Sequence, residues 1–258
     1  MEDIIVLKCG GSTIDDLSDR FFRNIQSLLA MGIKTVLVHG GGAAIKEMLA
    51  KLNVESVFVD GLRRTTAEVM DVVEMVLSGS VNNVLTRKLN ETGVQAIGLS
   101  GSDNRLLIAK AKDMSRLGFV GEIEEVNVSF LKQLLALGIV PVIAPIAVGR
   151  DGTRYNINAD TAAGAIAAAL SAKRLIFVTD VPGILQDQRL LDTVTVAEVN
   201  QLIEKGVIYG GMIPKVKAAV SSLNEGLTEV MIVDGKQSII AENGKLIGTT
   251  IQKSAEVV

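Results

Sequence analysis

Six apolar runs, Ile4–Lys8, Thr35–His39, Ala96–Leu99, Ile139–Ala144, Leu175–Thr179 and Glu229–Asp234, punctuate the chain, and stretches with helical periodicity separate most of them. That rhythm predicts an α/β fold with a mostly parallel sheet covered by helices. Between Phe21 and Met31 the apolar positions Phe21, Phe22, Ile25, Leu28 and Leu29 fall near 3.6-residue spacing, and Gly32 can end this helix in a left-handed conformation before a strand starts at Lys34. A longer helix runs from Thr66 to Asn90 with Thr65 or Thr66 as its cap, its apolar excess serving the core or a subunit interface. Leu106 to Glu125 reads as a hairpin or small antiparallel excursion. A further helix begins near Asn158 or Asp160 and runs through the Ala-rich Thr161–Leu170. No internal repeat and no domain-separating linker interrupts the pattern, so any lobe boundary is a hinge within one compact body, near Asn158–Leu170.

With 258 residues, 48% of them hydrophobic, the chain can bury a large core, and with no Trp, 2 Tyr and 6 Phe that core is aliphatic. So few rings argue against a stacking surface for single-stranded nucleic acid, and a formal charge of −3 without long runs of one sign argues against nucleic-acid partners in general. No uninterrupted apolar stretch reaches membrane-spanning length, and the start MEDIIVLKCGG does not read as a signal peptide, so the expected compartment is the cytoplasm. The single Cys9 ends an apolar run, where a thiol is usually a small core residue.

Two glycine turns fall at the carboxyl ends of the first two strands. Lys8-Cys9-Gly10-Gly11-Ser12 puts a cation beside residues whose amides can approach phosphate oxygens, and His39-Gly40-Gly41-Gly42 leads into a helix whose free amides aim at the same sheet edge. Open α/β sheets bind ligands at that edge. His39, the only histidine, is read as a residue of structural orientation. In Gly61-Leu62-Arg63-Arg64 the guanidinium groups can hold a planar carboxylate through parallel hydrogen bonds, although solvent-facing arginines are the bland alternative. Tyr155-Asn156-Ile157-Asn158-Ala159-Asp160 alternates until it meets a helix, so Asn156 and Asn158 can face one way; Asp160 is either a site residue or a cap. Gly210-Gly211-Met212-Ile213-Pro214-Lys215 leads into a helical pattern, with Pro214 suited to the first helical position and Lys215 within reach of a phosphate.

Familiar solutions are missing. There is no GxxxxGK[ST] loop and no GxGxxG turn opening a βαβ unit, so a nucleotide site here uses another scaffold; with no HExxH, no CxxC pair and no close His/Asp/Glu cluster, no recognisable cluster of protein side chains holds a metal. A hydrolase oxyanion hole could use His39-Gly40-Gly41-Gly42, but Gly98-Leu99-Ser100-Gly101-Ser102 lacks the last glycine of the required nucleophile turn.

The ordered set Lys8-x-Gly10-Gly11, His39-Gly40-Gly41-Gly42, Gly61-Leu62-Arg63, Asn156-x-Asn158-Ala159-Asp160 and Gly211-Met212-Ile213-x-Lys215 spans nearly the whole chain and resembles the acetylglutamate kinases of the amino-acid kinase family. The resemblance implies a three-layer αβα sandwich with a mostly parallel central sheet and two lobes within a single domain over 1–258, the acyl substrate bound by 1–170 and the nucleotide by 171–258. It implies that Lys8 and Lys215 approach the transferring phosphoryl group from opposite sides and that Asp160 keeps both in place. Gly10, Gly11, Gly42 and Asn158 then serve the phosphates, while Gly41, Gly42, Arg63 and Asn156 serve N-acetyl-L-glutamate. Thr179, Asp180 and Gly211 fall beside the nucleotide. ATP and Mg²⁺ are the implied cofactors, and the implied reaction, a step of arginine biosynthesis, yields N-acetyl-L-glutamyl 5-phosphate and ADP. A sister kinase acting on another N-blocked acid such as acetylaminoadipate, or a catalytically silent metabolite sensor, would carry similar motifs.

Arginine-inhibited relatives carry an additional N-terminal helix, whereas only Met1-Glu2-Asp3 precedes the first apolar run here. The expectation is therefore a homodimer, closed through the Thr66–Asn90 helix and insensitive to arginine.

Overall fold

The computed structural model describes residues 3–11, 14–224, 227–241 and 244–253. Its frame is an eight-stranded sheet. In spatial order the strands are Thr193–Thr195, Thr249–Gln252, Glu229–Asp234, Arg174–Thr179, Ile4–Cys9, Lys34–His39, Val140–Ala144 and Ala96–Ser100. All neighbours pair in parallel except Glu229–Asp234 with Thr249–Gln252. The strand Ile4–Cys9 is central: one neighbour, Lys34–His39, follows it directly, and the other, Arg174–Thr179, belongs to the second half of the chain. Strand order thus reverses at Ile4–Cys9, and the carboxyl edge there is the place where an open sheet leaves a crevice.

Period-2 alternation divides the strands between two cores. Val6, Val36, Val38, Ile143, Phe177 and Ile232 pack with Ala162, Ala163, Ile166 and Ala167 of the helix Ala159–Ala169 and with Val216, Ala219 and Leu223 of the helix Met212–Asn224. Leu7, Cys9, Leu37, Val142, Val178 and Val233 face the other way, onto Phe21, Phe22, Ile25 and Leu28 of the helix Asp19–Ala30 and onto Val69, Val73, Leu85 and Leu89. The result is the expected helix–sheet–helix sandwich. Alanines on Ala159–Ala169 let that helix lie close to the strands, and Gly32 ends Asp19–Ala30 at φ 79°.

The expected long helix forms from Ala67 to Glu91, capped by Thr66, whose hydroxyl accepts from Val69 N at 3.3 Å. Its middle, Met75–Val81, is π-helical, an irregularity that apolar spacing did not reveal. The excursion over Leu106–Glu125 also forms, as strands Leu107–Ala111 and Gly121–Val126 paired antiparallel. It recruits Ile146–Val148 and Arg154–Asn156 into a separate four-stranded sheet beside the carboxyl edge of the main one. Pro214 is the third residue of Met212–Asn224 rather than its first. Any of the first helical turn's amides lacks an intrahelical acceptor, so the ring is tolerated there as well. Among the described residues no helix is long and apolar enough to cross a membrane.

Candidate active site

Both glycine turns meet at the crevice. A Cβ added to Gly11 would lie 2.6 Å from Gly42 N and 2.7 Å from Gly41 N, so the two turns are in direct backbone contact and only glycine fits. Gly40 N donates to Cys9 O at 2.9 Å and Gly10 N to Val178 O at 3.4 Å, tying both turns to the strand ends. Gly41 precedes the helix Gly42–Lys51, and a Cβ on it would come within 2.5 Å of Leu77 Cδ2 in the π-helical turn. Gly42 has open space where a Cβ would stand. Its amide lies at a helix start, where unpaired N–H groups favour an anion.

Lys8 lies on the central strand, opposite Val38 on one side and Phe177 on the other. Its Nζ is 2.7 Å from Asp160 Oδ1, with side-chain exposures of 15% and 34%, so the pair is largely shielded from water. Asp160 is not the cap of its helix. That part is taken by Asn158, whose Oδ1 accepts from Asp160 N at 2.9 Å and Thr161 N at 3.1 Å. With its oxygen committed to the cap, Asn158 has its amide nitrogen for a ligand.

A cavity of about 390 Å³ opens above the second glycine turn, lined by Gly40 to Gly42, Arg63, Leu77, Asn156 and Asn158 among others. Arg63 is buried, with its guanidinium 4.7 Å from the Phe58 ring centroid. It donates from Nη1 to Ser56 Oγ and from Nη2 to Gly42 O, the latter at 3.2 Å. Of five N–H groups, three remain for an anion. Burial lowers the Arg63 pKa from its ordinary value without making it a proton donor at neutral pH. Arg64, by contrast, faces solvent. Asn156 Nδ2 donates to Thr65 Oγ1 at 3.1 Å, and Thr65 in turn donates to Arg63 O at 2.9 Å, so Arg63 and Asn156 are braced by one hydroxyl.

At the carboxyl end of the neighbouring strand Arg174–Thr179 a cleft of about 650 Å³ is lined by Asp180, Pro182, Gly183, Leu185, Tyr209, Gly211, Met212 and Lys215 among others. Asp180 and Lys215 form an ion pair, and the hydrogen bond from Lys215 is the chief reason the Asp180 pKa is lowered. The carboxylate that holds Lys215 in this structure is therefore Asp180, whereas Asp160 holds Lys8. Thr179 is nearly buried, and its hydroxyl bonds Val181 and Val233 rather than facing the cleft. Among the described residues no group of His, Cys, Asp and Glu could hold a metal ion. Mg²⁺ carried by nucleotide phosphates needs no such group.

The other singled-out residues are structural. Cys9 is fully buried, and desolvation pushes its thiol up to about 12. His39 is fully buried, with Nδ1 2.9 Å from Gly40 O and Nε2 3.0 Å from Asn82 Nδ2. Both contacts are satisfied by the neutral ring donating from Nδ1, which leaves it no freedom to act as a base for Ser100 or Ser102 and removes the hydrolase alternative.

Burial drives the His39 pKa from 6.5 down to about 4. The unfolded chain therefore takes up a proton first. The stability linked to His39 is complete above pH 6.5, shrinks as pH falls and is exhausted near pH 4, with about 2 kcal/mol lost by about pH 5. No other histidine contributes in this window. Denaturant titrations at pH 7 and 5 should show that loss, and His39→Gln should flatten it. Equal wild-type stability at the two values would show that the ring is not held neutral.

A model of the amino acid kinase family matches residues 3–234. An acetylglutamate kinase from Halalkalibacterium halodurans is 57% identical over 253 residues, 98% of this chain and 97% of the relative. Another, from Geobacillus thermodenitrificans, is 53% identical over 253 residues, 98% of each. Among solved structures, one from Streptococcus mutans superposes with a TM-score of 0.84 at 32% identity, covering 98% of this chain and 100% of that one. Sequence and fold agree over the length that carries both cavities, and the chain belongs to the amino acid kinase family, within it to the acetylglutamate kinases.

Proposed function

We propose that this chain transfers the γ-phosphoryl group of MgATP to the side-chain carboxylate of N-acetyl-L-glutamate, giving N-acetyl-L-glutamyl 5-phosphate and ADP in arginine biosynthesis. The observation that carries this reading is the pair of cavities at the carboxyl ends of Lys34–His39 and Arg174–Thr179, the two strands that flank the Lys8 strand at the strand-order reversal. One offers buried Arg63 for a carboxylate, and the other ends at Lys215. Residues 1–170 form the acyl-substrate lobe in this reading and 171–258 the nucleotide lobe. The sheet divides the same way, since its strands on one side of Arg174 all precede residue 171.

A carboxylate is already a nucleophile, so no general base is required. Its oxygen bonds to the γ-phosphorus as the bond from phosphorus to the β–γ bridging oxygen breaks in line, and ADP leaves with that electron pair. The obstacle is repulsion between two anions. Lys8 and Lys215 oppose it from the central strand and from the start of Met212–Asn224, and the amides of Gly11 and Gly42 add fixed dipoles that need no reorganisation. The Mg²⁺ on the nucleotide neutralises part of the phosphate charge.

A hydroxylamine-trapping assay over acidic amino acids, with and without N-acetyl groups, tests the assignment. Acyl phosphate from N-acetylglutamate above all others is expected. A preference for the acid one methylene longer would overturn it.

Arg63→Ala should raise the KM for N-acetylglutamate by about 10- to 50-fold, the worth of a charge-assisted hydrogen-bond pair, with a much smaller change in KM for ATP. Steady-state kinetics in both substrates decides this. Equal rises would place Arg63 outside the acyl site.

A further inference from the structure

Only two tyrosines and no tryptophan occur in this chain. Tyr155 is buried, but Tyr209 is 75% exposed. It stands in the wall of the cleft that ends at Asp180 and Lys215, among Pro182, Leu185, Val207 and Met212. Leu185 is also exposed, so the outer half of the cleft offers apolar surface that the fold itself leaves uncovered.

The ring is carried on a fastened loop. Ile208 is buried in the core, and the amides of Val207 and Ile208 both donate to Leu202 O, at 2.9 and 3.1 Å. Gly206 at φ 70° and Gly210 at φ 55° turn the chain on either side, and Met212 N donates to Tyr209 O at 3.2 Å as the next helix begins. Anchoring Ile208 inward drives its neighbour outward. Among the described residues no hydrogen bond engages the Tyr209 hydroxyl, so the side chain contributes its flat face.

A flat apolar face at one end of a cleft and a cation at the other match a molecule with an aromatic ring at one end and phosphates at the other. We propose that Tyr209 is the stacking platform for the nucleobase of the phosphoryl donor and a determinant of donor affinity. This rests on the reading of the cleft as the nucleotide site. Stacking acts equally before and during phosphoryl transfer, so it sets KM for the donor and leaves turnover alone.

Tyr209→Ala should raise KM for ATP about tenfold, within the range measured for single base–aromatic stacks, with kcat within about twofold and KM for N-acetylglutamate unmoved. Tyr209→Phe keeps the ring face and should keep the wild-type KM. The absence of tryptophan supplies a second readout: MgADP should quench tyrosine emission of the unaltered protein and leave that of Tyr209→Phe, which reports Tyr155 alone, unchanged. An unmoved KM for ATP in Tyr209→Ala, a Tyr209→Phe variant as weak as Tyr209→Ala, or equal quenching in Tyr209→Phe would each overturn the stacking role. If the unaltered protein forms acyl phosphate while any of these holds, the reaction stands and the platform falls. If it forms none with ATP, both fall.

Discussion

Lys8→Ala should lower turnover by roughly 10²–10³-fold, the scale of losing one oriented donor where charge develops, while the protein melts close to the wild-type temperature. The two halves of that expectation have separate causes. Stability is largely spared because truncating Lys8 opens Asp160, already 34% exposed, to water, and a carboxylate that regains its hydration costs the fold only about 1 kcal/mol for the lost pair. The residues that hold the strand Ile4–Cys9 are its buried neighbours Val6, Leu7 and Cys9. Turnover suffers because the lysine faces a crevice where an anionic nucleophile must reach an anionic phosphoryl group, and its loss also leaves Asp160 beside those phosphates without its counter-charge. Initial rates by hydroxamate formation, with melting followed by circular dichroism, test both halves. Turnover within threefold of wild type would remove Lys8 from the reaction.

The fold was legible because its main strands are buried on both faces and therefore read as unbroken apolar runs. Thr35–His39 and Leu175–Thr179 match observed strands to within a residue for that reason. The strand Ile146–Val148 leaves no mark in the sequence, since three residues are too few to show a period, and of Arg154–Asn156 only the alternation from Tyr155 onward does. The π-helical turn is equally silent in sequence. Its surroundings, with Leu77 against Gly41 and the following Asn82 donating to His39 Nε2 and Val142 O, are contacts made far apart along the chain.

The candidate site was legible as a set of turns but not as a set of pairings. Glycines announce close backbone approach whatever the partner, yet nothing in Gly210-Gly211-Met212-Ile213-Pro214-Lys215 says that the lysine will be held by Asp180. Asp160 and Asn158 were alike as cap candidates. The ψ of 129° at Asn158 and the hydrogen bonds its Oδ1 accepts from Asp160 N and Thr161 N separate them. Tyr209, a lone exposed ring in a loop, has no periodicity to flag it.

Because Asn158 is the cap, Asp160→Asn should change stability little, whereas Asn158→Ala should cost about 1 kcal/mol. Turnover of Asp160→Asn should nevertheless fall about 10²-fold, since a neutral amide no longer fixes the Lys8 ammonium and a misplacement near 1 Å carries a penalty of that size. The variants also separate two arrangements of the site. In this structure Asp160 meets Lys8, and Lys215 has Asp180 as its own carboxylate. If Asp160 acts through Lys8 alone, its substitution has nothing left to disturb once Lys8 is gone. Lys8→Ala with Asp160→Asn should then turn over at least as fast as Lys8→Ala by itself, since the carboxylate left facing the phosphates is neutralised, with all of the Asp160 effect absorbed in the interaction energy of the cycle. If instead one carboxylate organises both lysines during the reaction, the double variant should be slower again by a further factor of about ten, because Lys215 would lose its orientation too. Hydroxamate rates for the wild type, the two single variants and the double variant give the answer. A slower double variant would show that Lys215 leaves Asp180 for Asp160 when the phosphates are in place.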